Sequence, residues 1–394
     1  MSTREVVVVS GVRTPIGGYG GSLKDFPATR LGALAIREAV ARAKVEPAAV
    51  GHVVMGSVIH GEARDMYLSR VAAVDAGLPV GTPCLTVNRL CGSGLQAIVS
   101  AAQHLMLGDC ELAVAGGAES MSRAAYFLPA GRWGQRMGDA PVVDAMTGAL
   151  HDPFGYGHMG VTAENIAAKY GFTREQQDEF ALQSHLKAAN AIAKGHFSSQ
   201  IVPVEIRSRK GVETFATDEH VRKDVKLEDM AKLKPVFKKD GTVTAGNASG
   251  INDAAAAVVL MERKACEKAG LKPMARLVAY AHAGVEPQLM GLGPIPAVRR
   301  VFEKSGLKPA DMDVVESNEA FAVQAMAVTK DLGLDPARVN PNGGAVALGH
   351  PVGATGCILT VKALHELERT GKRRALVTMC IGGGQGIAAI FERA

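Results

Sequence analysis

Three side chains in this 394-residue chain have the types and settings that nucleophilic and acid–base chemistry needs. Cys91 lies in Val87-Asn88-Arg89-Leu90-Cys91-Gly92-Ser93-Gly94, at the mouth of a predicted helix. Unpaired backbone N–H groups and the helix dipole at such a mouth favour a thiolate, the form of cysteine that attacks a carbonyl carbon. Cys380 ends an apolar run and precedes Ile381-Gly382-Gly383-Gly384. That triple glycine is either a tight connection or a nest of N–H groups that holds an oxyanion. His350, in Leu348-Gly349-His350-Pro351, is either a packed or surface histidine or a catalytic one. Asn318 follows the apolar pair Val314-Val315. It is either a helix N-cap or a polar group at the carboxyl end of a strand, where layered α/β proteins bind ligands. A small buried thiol is the alternative for Cys91, and is the preferred reading of Cys84, Cys110, Cys266 and Cys357.

These residues are far apart in sequence, so something must bring them together, and an internal repeat supplies it. A predicted helix over Leu31–Ala43 leads to Glu46-Pro47-Ala48-Ala49 and the strand-like Val53-Val54-Met55. A second helix over Val298–Ser305 leads to Lys308-Pro309-Ala310-Asp311 and Val314-Val315. Pro47 and Pro309 differ by 309 − 47 = 262. The helix opened by Gly92-Ser93-Gly94 leads through Gly108-Asp109 to the strand Leu112–Ala115 and Gly116-Gly117. The one opened by Gly353-Ala354-Thr355-Gly356 leads through Gly371 to Ala375–Met379 and Gly382–Gly384. Gly94 and Gly356 again differ by 356 − 94 = 262. His350 maps onto Asn88, three residues before Cys91. Two copies packed about a pseudo-twofold axis therefore bring His350 towards Cys91.

Each copy alternates strands and helices, which predicts layered α/β units. Val6–Val9 and Ala375–Met379 read as strands buried on both faces. Residues 121–251 lack the repeat and read as an insertion. Asn252–Gly270 reads as a strand and helix that return to complete the first copy.

Composition removes several function classes. Hydrophobic residues make up 47% and charged residues 21%, as in a globular protein with a sizeable core. The balance of 44 basic and 39 acidic residues is only +5, with no basic stripe, so nucleic acid is not an expected partner. No apolar stretch is long enough for a membrane span, the longest being Ala254–Met261. The start at Met1-Ser2-Thr3 runs directly into Val6–Val9, the end carries no recognisable address, and six cysteines show no C-x-x-C pair. A cytoplasmic protein with reduced thiols and no bound metal is expected. The 45 glycines exceed the usual share of about 7%.

The Cys91 segment, Asn318-Glu319-Ala320-Phe321-Ala322, Gly349-His350-Pro351-Val352-Gly353-Ala354-Thr355-Gly356 and Cys380-Ile381-Gly382-Gly383-Gly384 occur in the order found in one family. On these four blocks the chain resembles the thiolases, the acyl-CoA C-acetyltransferases, along essentially its whole length. It is most similar to bacterial biosynthetic β-ketothiolases of the type that supply polyhydroxyalkanoate precursors. The resemblance implies a duplicated α/β/α layered fold of two related halves, each a mixed sheet with helices, plus an inserted loop domain. The halves would be residues 1–120 with 252–272, and residues 273–394; residues 121–251 would bind CoA and form tetramer contacts.

The same resemblance implies a reversible Claisen condensation of two acyl-CoA molecules to a 3-ketoacyl-CoA. Cys91 would carry the acyl group, His350 would activate it, and Cys380 would act as general acid and base. Asn318 would hold an oxyanion-hole water beside His350, and the N–H groups of Cys91 and Gly382 would form a second hole. Coenzyme A would enter as substrate, with no tightly bound cofactor, against Leu150, His158, Met159, Arg222, Phe237, Ser249 and Ala320. The segment Tyr126–Met137 with Trp133 resembles the family's tetramer-forming loop, implying a homotetramer. Ser317 and Ile358 depart from the commoner pattern, and leave chain length open. The alternatives are a degradative 3-ketoacyl-CoA thiolase, a 3-ketoacyl synthase and a non-catalytic acyl-CoA-binding protein; Cys380 and the complete residue set argue against the last two.

Overall fold

Apolar runs rich in Val and Ala make the central strands, because β-branched and small side chains pack on a surface buried on both faces. In the computed structural model, which describes residues 4–209 and 211–394, Val6–Arg13, Leu112–Ser120 and Asn252–Glu262 are buried along their whole length. The expectation made for Met1–Thr3 lies outside the described residues.

Two half-sheets join along one antiparallel seam, where Val7 lies opposite Arg276 and Val8 opposite Ala275. Outward from the seam, the first half runs Val6–Arg13, Asn252–Glu262, Leu112–Ser120, His52–Gly56 and Cys84–Val87. The second runs Ala275–Gly284, Gln385–Arg393, Arg374–Ile381 and Val314–Ser317. Both pair antiparallel near the seam and parallel further out. A parallel bridge from Val315 to Val339 extends the second half at the place Cys84–Val87 occupies in the first.

The repeat is explicit in the elements. Helices Ser93–Leu107 and Thr355–Thr370 begin 355 − 93 = 262 residues apart, and both end at a left-handed glycine, Gly108 and Gly371. Short 3-10 turns at Pro47–Ala49 and Pro309–Asp311 keep the same offset. Those two long helices form the central layer. Leu95, Ile98 and Leu105 share one apolar cluster with Cys357, Val361 and Leu364 and with inner faces of both half-sheets. Helix Ala28–Ala43 covers the outer face of the first half-sheet, and helices Pro294–Ser305 and Ala322–Asp331 cover that of the second.

Among the described residues, no strand of the main sheet comes from 121–251. This stretch holds helices Met159–Tyr170 and Arg174–Ala193 and the hairpin Val204–Ser208 with Gly211–Phe215. The second helix starts with a reciprocal cap, Thr173 and Gln176 each bonding the other's backbone N–H. A buried Arg13–Asp218 ion pair, 2.7 Å long, fastens the stretch to the first half. Tyr126, Phe127, Trp133 and Met137 are exposed. Among the described residues no helix is long and apolar enough to cross a membrane. Cys266 and Cys357 are buried as expected, whereas Cys84 and Cys110 are only half-buried. Cys84 begins a strand at the sheet's edge, and Cys110 sits in the turn before Leu112–Ser120, and each packs against the margin of an apolar cluster.

Candidate active site

The carboxyl ends of strands from both halves, and the turns that follow them, open on one cavity of about 490 Å³. Cys91, His350, Cys380 and Gly382 line it together. The side of the insertion closes it with Leu150, His158, Met159, Phe237 and Ser249.

Cys91 sits just ahead of helix Ser93–Leu107, whose N-cap is Gly92. Leu90 before it adopts φ 44°, a left-handed backbone uncommon for a non-glycine residue. A Cβ on Gly92 would lie 2.6 Å from Ile381 Cδ1, so the Cys91 turn rests directly on the Cys380 turn. The thiol is not the thiolate expected from its helix-mouth position. Burial pushes it up to about 11, backbone N–H groups of Gly382 and Cys91 itself pull it back, and the Glu119 carboxylate raises it further. Desolvation of the charged form outweighs the helix-mouth contribution. Cys380, fully buried, is pushed up by burial first and by the neighbouring Cys91 second. It too is a thiol at rest, far from its ordinary acidity.

His350 is buried, and burial lowers its pKa to about 4, so the ring is neutral. Its Nδ1 lies 2.7 Å from Thr355 Oγ1, and that hydroxyl donates its own proton to the Pro351 carbonyl at 2.8 Å. A hydroxyl has one proton, so Thr355 accepts from His350 and Nδ1 carries the hydrogen. Nε2 therefore holds the lone pair and is the acceptor side of the ring. Asn318 Nδ2 faces it at 3.4 Å, and Asn318 Oδ1 is buried with no partner. The backbone N–H of His350 donates to Asn252 Oδ1 at 3.0 Å, and Gly349 (φ 106°) passes so close to Asn252 that no Cβ fits. Asn318 is not a helix cap: helix Ala322–Asp331 starts four residues later, behind Phe321.

On the insertion side, His158 caps helix Met159–Tyr170 by accepting from Gly160 N–H, and its ring stacks on Phe237 at 4.6 Å. Gly160 lies against that ring, where a Cβ would meet Phe237 at 2.1 Å. Burial and then His151 lower the His158 pKa. Ser249 N–H donates to the Ala320 carbonyl at 3.0 Å, tying the insertion to the Asn318 segment. Arg222 is exposed at the rim. All of the residues expected from sequence to meet CoA line this one cavity.

The family model for the N-terminal domain of thiolase matches residues 6–264, and that for the C-terminal domain matches residues 271–393. The chain belongs to the thiolase family. It is 67% identical to the beta-ketothiolase BktB of Cupriavidus necator, over 99% of this chain and 100% of that one. It is 50% identical to an acetyl-CoA acetyltransferase of the same organism, over 99% of each. The acetyl-CoA acetyltransferase of Bacillus anthracis superposes with a TM-score of 0.98 at 46% identity, covering 100% of this chain and 99% of the other. Human mitochondrial 3-ketoacyl-CoA thiolase in complex with CoA superposes at 0.96 and 45% identity, covering 99% and 98%.

Sequence reasoning missed four residues around this thiolase-family site. Thr355 orients His350, Asn252 holds its backbone, and His220 and Met290 line the cavity. Thr355 was in plain view five residues after His350. Only the helix that starts there turns its hydroxyl back towards the ring. Asn252 and His220 belong to segments with no motif, and their distance in sequence concealed them.

Proposed function

We propose that this thiolase-family enzyme is an acyl-CoA C-acetyltransferase, a β-ketothiolase working through an acyl-Cys91 intermediate. The observation that carries the proposal is the meeting of two thiols, Cys91 and Cys380, with His350, whose Nε2 is its unprotonated nitrogen, in one cavity. His350 takes the Cys91 proton as the sulfur attacks the thioester carbonyl, and Cys380 gives its own proton to the departing CoA thiolate, which leaves Cys380 as the thiolate. Neither thiol is ionised at rest, so the proton must move during attack, which calls for a base in contact.

Cys380 then removes an α-proton from a second acetyl-CoA. The carbanion attacks the acyl carbon, the C–S bond to Cys91 breaks as its sulfur takes its proton back from His350, and 3-ketoacyl-CoA leaves. Two oxyanions form along this route. Asn318, whose Oδ1 is free to hold water, serves one together with His350; the N–H groups of Cys91 and Gly382, already aimed at the Cys91 sulfur, serve the other. CoA lies along His158, Met159, Phe237 and Ser249, with Leu150 and Ala320 beside it and Arg222 at the nucleotide end.

The exposed Tyr126, Phe127, Trp133 and Met137 support a homotetramer built through this loop. A cytoplasmic location and the absence of a resident cofactor belong to the same reading. So does the division into halves 1–120 with 252–272 and 273–394 around the insertion. A 3-ketoacyl synthase needs no second thiol at the site, which weighs against it. Mixing the enzyme with acetyl-CoA should add one acetyl group at Cys91, seen by peptide mass spectrometry. Unchanged labelling in Cys91→Ser would overturn the assignment. Cys380→Ser should acylate normally yet fail to condense.

A further inference from the structure

Glu119 is the penultimate residue of the strand Leu112–Ser120, after an apolar run, and it is fully buried. Among the described residues it makes no ion pair with Lys, Arg or His. Its carboxylate instead takes three backbone N–H groups. Oε2 accepts from Val58 at 3.0 Å and from Gly353 at 2.8 Å, and Oε1 accepts from Ile59 at 3.0 Å. Val58 and Ile59 follow strand His52–Gly56 of the first half. Gly353 lies three residues after His350, in the second.

We propose that Glu119 is a positioning residue whose carboxylate pins the turn carrying His350 to the half carrying Cys91. The slot it works in has no slack. A Cβ on Gly353 would sit 2.5 Å from Glu119 Oε2, and one on Gly117 would sit 2.1 Å from the Gly353 carbonyl oxygen. The turn is thus wedged between Glu119 and Gly117 and held by the bond from its own N–H. N–H donors converge on both oxygens, two at Oε2 and one at Oε1, so each oxygen must be able to accept. Glutamine would present an NH2 to one set of them and leave at least one buried donor without a partner.

The titratable groups facing this carboxylate are Asp65 and Cys91. Burial, opposed by the three N–H bonds, raises Glu119 to about 8, so it is ionised across the alkaline range in which Cys91 titrates, and there its charge raises Cys91. Glu119 therefore has two separable effects, one through reach and one through charge.

This inference rests on the reading of Cys91 and His350 as nucleophile and base, and two variants test it separately. Glu119→Gln keeps the size and removes the charge; Glu119→Asp keeps the charge and shortens the reach. Both should fold, by circular dichroism, and both should lose between roughly tenfold and 100-fold in kcat, the scale of a small misplacement of reacting groups, with KM for acetyl-CoA little changed. Only Glu119→Gln should move the pH at which Cys91 is alkylated by iodoacetamide downward, a shift that a purely structural role would not produce. Wild-type kcat in a folded Glu119→Asp overturns the pinning role, and that variant decides it if Glu119→Gln does not fold. Failure of the wild-type enzyme to acylate Cys91 would instead sink the underlying reading.

Discussion

Gly94 and Gly356 stand against each other's helices at the centre of the molecule, each occupying space that the other's backbone leaves no room to share. A Cβ on Gly94 would lie 2.7 Å from the Cys357 nitrogen, and one on Gly356 would lie 2.3 Å from the Leu95 nitrogen. The obstacle is backbone on both sides, so neither side chain can swing aside. Cys91 lies three residues ahead of one of these glycines and His350 six ahead of the other. The closeness of the two helices is what brings the reacting groups together.

Gly356→Ala should therefore lose stability by about 1–3 kcal/mol, the cost of overpacking a filled core, or more if the helices must part. The catalytic turns should move with it, lowering kcat even where the protein stays folded. Urea unfolding and steady-state thiolysis measure the two effects, and wild-type values in both would contradict the close approach.

Thr355 fixes which nitrogen of His350 is unprotonated, because its hydroxyl proton already belongs to the Pro351 carbonyl. Thr355→Val keeps the shape and removes the acceptor, leaving the Nδ1–H buried without a partner. Removing an acceptor from a buried donor costs about 1–3 kcal/mol, so kcat should fall by roughly 10- to 100-fold with little change in KM. Thr355→Ser restores the hydroxyl and should recover most of the rate. A serine variant no better than valine would mean that the methyl group, not the hydroxyl, matters.

The acidity of Cys91 gives a pH test whose sign is definite. With its pKa raised to about 11 by burial, the sulfur is protonated near neutral pH and loses its proton only in strong alkali. Alkylation by iodoacetamide should keep climbing as pH rises instead of levelling off below the ordinary thiol value of about 8.5. His350→Asn should slow alkylation near neutral pH, where the neutral imidazole is the available base. A plateau in the wild type near neutral pH would show a stable thiolate and contradict the burial argument.

The chain's own order of residues was enough to reveal the duplication, because an offset of 262 between Gly94 and Gly356 survives in the linear sequence whatever the fold does with it. It was enough, with the four motif blocks, to single out Cys91, His350, Cys380 and Asn318. It misjudged the Cys91 thiol: a helix mouth is a local feature that spacing reveals, while desolvation depends on every residue that covers the sulfur. Glu119 and Thr355 escaped for a related reason. A carboxylate in an apolar strand and a threonine at a helix start look ordinary one by one. Their meaning comes from Gly353 and Pro351, which the sequence places 234 residues from the first and four from the second. Local propensity and periodicity act over a turn or a strand, so they are written in the chain. Which buried donor meets which acceptor is decided only when the two halves close on each other.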